Sequence, residues 1–220
     1  MKPSMPPRSI EALVRSKTLV FWDFDGVIKE SLDVKARAFE TLFLPYGADI
    51  AARVRNHHES NGGLSRFIKI PLYLNWAGLP TSEVEVERFC VRFSELALQG
   101  VIDSPWVGGV HDYIERYHEQ QYFVLLTATP KEEIKMIIDR LGIDPCFREV
   151  FGAPTDKSEA IAGIVRRRDG DRESMLVIGD SEHDMKAARD NGIPFLLRST
   201  PYNASLQASH RGLMFESLVS

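Results

Sequence analysis

Residues 19–26 read LVFWDFDG, an unbroken apolar run that ends in two acidic residues and a glycine. Further short apolar runs occupy residues 122–127, 175–179 and 193–197, and amphipathic helical patterns lie between the later runs. Apolar strands that alternate with helices are typical of a parallel sheet covered on both faces. The sequence therefore predicts an α/β protein with a Rossmann-like core.

The pattern changes at residues 31–102, where strand-like runs disappear and helical periodicity continues. One helix of this stretch is predicted to begin at Ser82 and to stop at Gly100. The stretch separates the first two predicted strands, so a helical insert there can close over the strand ends as a lid. We expect a cap domain at residues 31–102 on a catalytic core at residues 9–30 and 103–220.

The composition is ordinary for a globular protein, with 44% hydrophobic and 26% charged residues. A net charge of −4 gives no general attraction to nucleic acid or to an anionic membrane, so we expect neither as a partner. Apolar runs such as residues 122–128 are far too short to span a bilayer. Both a monomer and a homodimer are compatible with the sequence.

The first eight residues contain three prolines and no apolar segment, so we expect a disordered tail at residues 1–8 and not a signal peptide. The two cysteines, Cys90 and Cys146, lie far apart and lack a CxxC spacing. A reduced cytoplasmic protein without a disulfide is the simplest interpretation of these features.

Polar residues follow the predicted strands, at the sheet edge where open parallel sheets bind their ligands. Asp23 and Asp25 end the first strand, Thr127 ends the second, and Asp180 and Asp184 follow a later one. Several carboxylates at one edge would repel each other strongly unless a cation were bound. Because oxygen ligands suit a hard divalent ion, the sequence predicts a Mg²⁺ site with phosphate as its natural partner.

The spacing of Asp23 and Asp25 places both side chains on the same face of a regular strand. One ionised carboxylate can attack phosphorus to give an aspartyl-phosphate. The other can protonate the leaving oxygen and then deprotonate the water that hydrolyses the intermediate. Lys157 adds a positive charge, and its place in the first turn of a predicted helix, where the dipole disfavours a cation, indicates a functional role.

Structural interpretations exist for some of these residues. Ser181 and Asp184 fit a capping box, which alone would explain an acid at residue 184. Thr127 has the β-branched side chain that strands favour. Thr129 and Pro130 are predicted to be the N-cap and first residue of the next helix.

Four motifs, taken in order along the chain, resemble those of the haloacid dehalogenase superfamily. They are Asp23-Phe24-Asp25-Gly26-Val27, Thr127, Lys157 and the run GDSEHD at residues 179–184. The resemblance covers almost the whole chain, and the insert is similar to that family's helical cap of type C1. The similarity is greatest to the branches of phosphoglycolate phosphatase and β-phosphoglucomutase.

This resemblance implies roles at the acidic residues. Asp23 would be the nucleophile and a metal ligand. Asp25 would be the general acid and base, and its backbone carbonyl would bind the metal. Asp180 would bind Mg²⁺, with Asp184 acting directly or through water.

The resemblance also implies a phosphate site and a reaction. Thr127 and the amide of Ala128 would hold phosphate, and Lys157 would bridge the phosphate and the nucleophile. The expected reaction is the hydrolysis of a small phosphorylated metabolite, with a sugar or polyol phosphate favoured. A covered site suits small substrates.

Within the insert, Arg66 follows a double glycine and resembles the substrate-specificity loop of related caps. We expect Arg66 to point into the cleft above Asp23 when the cap closes about hinges near residues 29–32 and 100–105; a solvated arginine is the alternative. The adjacent His57 and His58 do not face each other on a helix, so no metal site is predicted there.

Glu30 and Lys35 follow the first motif and are expected at the hinge and cap entrance, close to substrate. Sugar phosphomutases of the family usually have a histidine where Lys35 stands, which counts against a mutase. A dehalogenase would need neither Asp25 nor a metal, and a non-catalytic binding module would not need the acidic set. These three alternatives remain open beside the predicted Mg²⁺-dependent phosphatase.

Overall fold

The computed structural model describes residues 9–168 and 170–218, and the predicted tail at residues 1–8 lies outside them. The strands of the described residues are β1 (Leu19–Trp22), β2 (Tyr122–Pro130), β3 (Glu149–Ala153), β4 (Met175–Gly179), β5 (Phe195–Arg198) and β6 (Met214–Phe215). They form one sheet in the order β3-β2-β1-β4-β5-β6, with every neighbouring pair parallel. The predicted parallel α/β core is confirmed.

The helices of the described residues are, in chain order, α1 (Ile10–Arg15), α2 (Leu32–Phe43), α3 (Ala48–Ser60), α4 (Arg66–Trp76), α5 (Glu83–Asp103), α6 (Val110–Tyr117), α7 (Lys131–Arg140), α8 (Lys157–Arg168), α9 (Glu182–Asp190) and α10 (Ala204–Ser209). Among these described helices, none has both the length and the apolar character that crossing a bilayer requires.

The central strand β1 shows how the sheet is covered on both faces. Its residues are all buried, and alternate side chains belong to two different apolar clusters. Val20 and Trp22 pack in the cluster that contains the apolar faces of α6 and α7. Leu19 and Phe21 pack in the cluster that contains those of α8 and α9. The alternation follows from the two-residue period of a strand.

Helices α2 to α5 lie between β1 and β2 in the chain and form the insert over the sheet edge. Their apolar faces are rich in aromatic residues: Phe39 stacks on Phe93 with ring centroids 3.9 Å apart, and Phe43 meets Tyr73 at 5.7 Å. The insert thus has apolar packing of its own. The boundaries of the cap at residues 31 and 102 stay predictions. The motion of the cap as a unit also stays a prediction.

One helix boundary in the insert was predicted wrongly. Helix α5 does not stop at Gly100 but continues to Asp103. A β-carbon at Gly100 would lie 2.8 Å from Cγ1 of Val34, so the missing side chain lets α5 pack closely on α2. The glycine therefore serves helix packing there and does not end the helix.

Two connections join the insert to the core, and they run side by side. The amide of Glu30 donates to the carbonyl of Pro105 at 2.8 Å, and the amide of Val107 donates to the carbonyl of Ile28 at 3.0 Å. These bonds link the two segments where hinges are predicted. They fix where the insert is attached relative to the end of β1.

Candidate active site

The strand-end residues converge at the carboxyl edge of the sheet, beneath the insert. The β1 ladder continues to Asp23, whose amide donates to the carbonyl of Ile178 at 3.0 Å. The chain then turns at Gly26, which has a φ of +75°. A β-carbon at Gly26 would lie 2.7 Å from Oδ2 of Asp180, so only a glycine allows these two loops to approach so closely.

Asp23, Asp180 and Asp184 form the acidic cluster of the site. All three are buried, and one carboxylate oxygen from each lies within 4.8 Å of the others. Burial and the charges of Asp23 and Asp184 raise the pKa of Asp180 well above its usual value, and burial raises the pKa of Asp23 to about 7. In the described part of the chain, no side chain pairs with the Asp180 carboxylate.

Lys157 is the positive charge beside this cluster. Its Nζ donates to Oδ1 of Asp23 at 2.7 Å and to Oδ1 of Asp184 at 2.6 Å. Although burial opposes its ionisation, the two carboxylates hold the pKa of Lys157 above its usual value. Their attraction outweighs the unfavourable helix dipole in the first turn of α8. The lysine is therefore placed against the predicted nucleophile.

Asp184 caps helix α9 and also contacts Lys157. Its backbone amide donates to Oγ of Ser181 at 3.3 Å, and its Oδ2 accepts from the amide of Ser181 at 3.1 Å, which completes a capping box at the start of α9. Its other oxygen accepts from Lys157. A β-carbon at Gly179 would lie 2.2 Å from Cβ of Asp184, so a glycine is needed there.

Asp25 lies apart from the acidic cluster and contacts the insert. Its Oδ1 accepts from the hydroxyl of Ser31 at 2.6 Å, and its Oδ2 accepts from Nζ of Lys35 at 2.5 Å. Burial opposes the ionisation of Asp25, but Lys35 and Ser31 together hold its pKa below the usual value. The predicted acid and base is therefore paired directly with a side chain of α2.

Thr129 was predicted to cap a helix, and the structure shows a different role. Strand β2 continues through Pro130, and α7 starts at Lys131 without a side-chain cap. The Thr129 hydroxyl accepts from Lys35 at 2.7 Å and donates to Asp25 at 3.3 Å. Because its hydroxyl is engaged with these charged groups, Thr129 is a site residue that the sequence pattern missed.

The predicted phosphate-binding residues line one open cleft. Thr127, Ala128 and Lys157 border one cleft of about 410 Å³, together with other residues at the start of α8. The Thr127 hydroxyl accepts from the amide of Thr129 at 3.1 Å. A second cleft, of 390 Å³, lies on the Asp180 side. The structure thus brings the three predicted phosphate residues together.

A loop of the insert separates these two clefts. Gly63 in this loop lies directly over the start of α9, where a β-carbon would be 2.6 Å from Oγ of Ser181 and 2.8 Å from Cβ of His183. Such distances exclude any side chain at residue 63 in this arrangement. The double glycine between α3 and α4 therefore allows the insert to contact the core.

A third, smaller cavity of 40 Å³ lies between the insert and the core, and we call it the inner cavity. Its core-side lining is Asp25, Ala128 and Thr129. The polar residues that the insert contributes are Lys35, His58, Arg66 and Lys69. The inner cavity is thus rich in cationic groups and adjoins the predicted acid and base.

Arg66 lines the inner cavity, and its guanidinium joins the insert to the core. The side chain is buried, and its two terminal nitrogens donate to Glu133 of α7 at 2.8 and 2.6 Å. Ser94 of α5 accepts a further bond. The alternative of a solvated arginine is therefore wrong. Contact between Arg66 and substrate stays a prediction.

The structure does not bring Glu30 to the substrate region, where it was predicted. Its carboxylate accepts from Arg198 at 2.5 Å. Arg198 is buried at the end of β5 and requires a counter-charge. Glu30 therefore compensates a core arginine, and it lines neither cleft nor the inner cavity. Lys35, predicted with it, does reach the site.

Lys69 and His58 are site residues that sequence reasoning missed. Lys69 is 1% exposed, and its Nζ lies 3.0 Å from Nδ1 of His58. Lys69 follows Arg66 by one turn of α4, on the face that also carries the buried Ile70 and Tyr73. A lysine next to the apolar Ile70 and Tyr73 was the available signal, since lysines are rarely buried.

The ion pair between Arg66 and Glu133 should stabilise the contact between the insert and the core, and kinetics can test this. Arg66→Met and Glu133→Gln should each lower kcat/KM by about 10- to 100-fold, because each leaves a charged or polar group unpaired in the closed arrangement. The double variant should be little worse than either single one, since both changes remove the same interaction. Steady-state kinetics on the four proteins would measure this coupling.

The exposed pair of Arg92 and Glu95 in α5 offers a matched control, and Arg92→Met should leave kcat/KM unchanged. Losses that simply add in the double variant would show that Arg66 and Glu133 act separately.

Comparison with known proteins places this geometry in a family. A family model described as haloacid dehalogenase-like hydrolase matches residues 17–192. The match includes all four strand-end motifs and the whole insert. It therefore covers every residue of the acidic cluster and the inner cavity.

Individual relatives agree with this match. The phosphoglycolate phosphatase of Aliivibrio fischeri is 23% identical over 193 residues, which are 84% of this chain and 85% of that protein. The crystal structure of CbbY from Rhodobacter sphaeroides in complex with xylulose-1,5-bisphosphate superposes with a TM-score of 0.72 at 14% identity, covering 92% of this chain and 95% of that one. A predicted phosphoglycolate phosphatase from Haemophilus somnus gives a TM-score of 0.70 at 17% identity, covering 91% and 95%.

Proposed function

Since the chain belongs to the haloacid dehalogenase-like hydrolases, we propose that it is a Mg²⁺-dependent phosphatase that hydrolyses a small phosphorylated metabolite. One observation carries the proposal: the buried carboxylate of Asp23 accepts a hydrogen bond from Lys157, and Lys157 lines a cleft together with Thr127 and Ala128. A nucleophile, a cation and phosphate-binding groups therefore share one place. The relative named as a phosphoglycolate phosphatase supports a phosphomonoester as substrate.

The chemistry of the acidic cluster fits Mg²⁺. Three carboxylates that approach one another closely in a buried site offer oxygen ligands to a hard cation, and Asp180 has no other cationic partner among the described residues. Asp23, Asp180 and Asp184 would hold the ion, with the Asp25 carbonyl as a further ligand. When bound, the ion would neutralise negative charge on the phosphoryl group and keep Asp23 ionised.

The first step forms an aspartyl-phosphate. An Asp23 oxygen attacks phosphorus while the bond between phosphorus and the leaving oxygen breaks. Lys157 and the Ala128 amide stabilise the charge on the phosphoryl oxygens. The leaving oxygen takes a proton from the Asp25–Lys35 ion pair: Asp25 passes on the proton that rests on Nζ of Lys35, which leaves Lys35 neutral.

The second step returns the enzyme to its starting state. The Asp25 carboxylate takes a proton from water, whose oxygen attacks phosphorus, and the proton returns to Lys35. The bond between phosphorus and Asp23 then breaks, releasing inorganic phosphate and the Asp23 carboxylate. Lys35 and Ser31 stabilise Asp25 in the ionised form that this step needs.

The size of the inner cavity favours a small leaving group and hydrolysis. Its volume of 40 Å³ in this arrangement favours a small leaving group over a hexose. A sugar phosphomutase must hold such a sugar next to the phosphorylated aspartate.

We propose that the enzyme is located in the cytoplasm. The free thiols of Cys90 and Cys146, both buried, suit that reducing compartment.

The role of Asp25 can be tested with two leaving groups. Asp25→Asn should lower the rate of phosphoenzyme formation by about 10²–10⁴-fold with an alkyl phosphate, whose leaving oxygen needs a proton. The same rate should fall much less with p-nitrophenyl phosphate, because nitrophenolate leaves without protonation. Rapid-mixing measurements of the first turnover would compare the two rates.

Equal losses on both esters would contradict the role of Asp25 as an acid. Release of an isomerised ester with little free phosphate would contradict hydrolysis and favour a mutase. No activity on any phosphomonoester in the presence of Mg²⁺ would overturn the proposed function as a whole.

A further inference from the structure

Lys69 is a buried cation without an anionic partner. It is 1% exposed, and its one hydrogen-bonding partner among the described residues is Nδ1 of His58 at 3.0 Å. No carboxylate of the described residues forms an ion pair with it. Because an unpaired buried charge costs much free energy, a protein keeps one only where something else compensates it.

The other cations of the inner cavity are already matched. Lys35 pairs with Asp25, and Arg66 pairs with Glu133. Lys69 is therefore the cation left over at this cavity, and one negative charge would balance it. Burial, with a smaller contribution from Lys35, lowers the pKa of Lys69 to about 7. A bound anion would reverse this shift.

The position of Lys69 identifies which part of a ligand would carry that charge. Lys69 and His58 line the inner cavity together with Asp25, which lies next to the leaving oxygen in the proposed reaction. The phosphoryl group itself belongs at the cleft with Thr127 and Lys157, which Lys69 does not line. The negative charge therefore lies on the leaving group.

The size of the cavity limits what this group can be. A carboxylate is small and carries one negative charge, which matches the small inner cavity and the single charge of Lys69. A second phosphoryl group is bulkier and carries close to two negative charges, which Lys69 alone would not balance. His58 favours the same ligand: when its Nδ1 accepts from Lys69, its Nε2 carries a proton that it can donate to an oxygen.

We propose that Lys69 and His58 bind a carboxylate on the leaving group, so that the substrate is a short phosphorylated hydroxy acid. The proposal rests on the proposed phosphatase function and specifies its substrate class. It replaces the sugar or polyol phosphate that the sequence alone favoured. Lys69 is then a residue that determines specificity through the leaving group and takes no part in the bond-making steps.

Three probes with the same phosphoryl group test the proposal: phosphoglycolate, its uncharged amide and ethyl phosphate. Wild-type kcat/KM should be about 10- to 100-fold higher for phosphoglycolate than for the amide, the range expected for hydrogen bonds to a charged group. Lys69→Met should remove most of this preference and leave kcat/KM for ethyl phosphate within about threefold of wild type. Lys135→Met, on the exposed face of α7, is the matched control and should change neither value.

A binding measurement makes the test independent of turnover. Glycolate, the product alcohol, should raise the melting temperature of the wild-type protein and of Lys135→Met, but not that of Lys69→Met. If Lys69→Met does not fold, the wild-type preference among the three probes and Lys69→Gln provide the same comparison.

Three results would overturn the proposal. The first is an equal loss on phosphoglycolate and ethyl phosphate in a folded Lys69→Met protein, which would show a general structural role. The second is a wild-type preference for 1,2-ethanediol bisphosphate that depends on Lys69, which would assign the site to a second phosphoryl group. The third is hydrolysis of p-nitrophenyl phosphate without any preference for phosphoglycolate, which would refute the carboxylate site and leave the phosphatase function standing.

Discussion

Asp23→Asn should reduce phosphatase turnover by about 10⁴-fold or more, because the carboxylate itself forms the bond to phosphorus. The amide has nearly the same shape and can still accept from Lys157, so the fold should be preserved. Loss of one charge from the buried acidic cluster also relieves repulsion, so the melting temperature should not fall. Release of free phosphate, measured with an alkyl ester and with p-nitrophenyl phosphate, would check the loss.

Asp23→Ala belongs in the same experiment, since an asparagine can deamidate and restore the wild-type residue. Asp139→Asn is the control, because Asp139 is exposed on α7 and lies away from the site. Substantial activity in both Asp23 variants would show that another group attacks phosphorus.

Removal of divalent metal should abolish activity, and Mg²⁺ should restore it. Mg²⁺ should also raise the melting temperature, because an ion that binds only the folded acidic cluster stabilises it. Asp180→Asn should remove this response and at the same time make the metal-free protein more stable. The reason is that the buried Asp180 carboxylate has no cationic partner among the described residues. For a chain of this length, each kcal/mol added to the free energy of unfolding raises the melting temperature by about 2–4 °C.

The melting-temperature measurements separate metal binding from catalysis, since they are made without substrate. Full activity in excess chelator would refute the metal assignment. A melting temperature that rises equally with Mg²⁺ in wild type and Asp180→Asn would show that the ion binds elsewhere.

The parts of the fold that could be predicted are those that depend on local sequence patterns. The apolar runs of β1 and β4 are continuous, because strands buried on both faces need no polar residue. The carboxyl ends of parallel strands meet at one edge, so Asp23 and Asp180 could be placed together from their positions after β1 and β4. Strand β3 was missed since its first three residues are only partly buried and its pattern is correspondingly weak.

Lys157 shows how a local conflict in the sequence can indicate a site. A lysine in the first turn of a helix opposes the dipole, which no local interaction compensates. The compensation comes from Asp23 and Asp184, which are distant in the chain and close in space. The mismatch with local preference therefore pointed correctly to a tertiary partner.

The inner cavity could not be predicted in this way. Its contacts join the insert to the core: Lys35 with Thr129, and Arg66 with Glu133. They depend on how the helices of the insert pack over the sheet edge, which no short pattern specifies. The place of Lys69 beside apolar residues of α4 was a signal in the sequence, but only the packed structure reveals that its buried charge has no anionic partner.

Gly63 determines how closely the insert approaches the core. Because a β-carbon there would clash with Ser181 and His183, we expect a larger residue to increase the distance between the insert and the start of α9. A greater distance would enlarge the space beside Asp25, while the acidic cluster, which belongs to the core, would be unchanged. Residue 63 lines the two larger clefts and not the inner cavity, so a substitution there would change the size of leaving group that the enzyme accepts. We therefore expect laboratory evolution toward bulkier esters to select substitutions at residue 63.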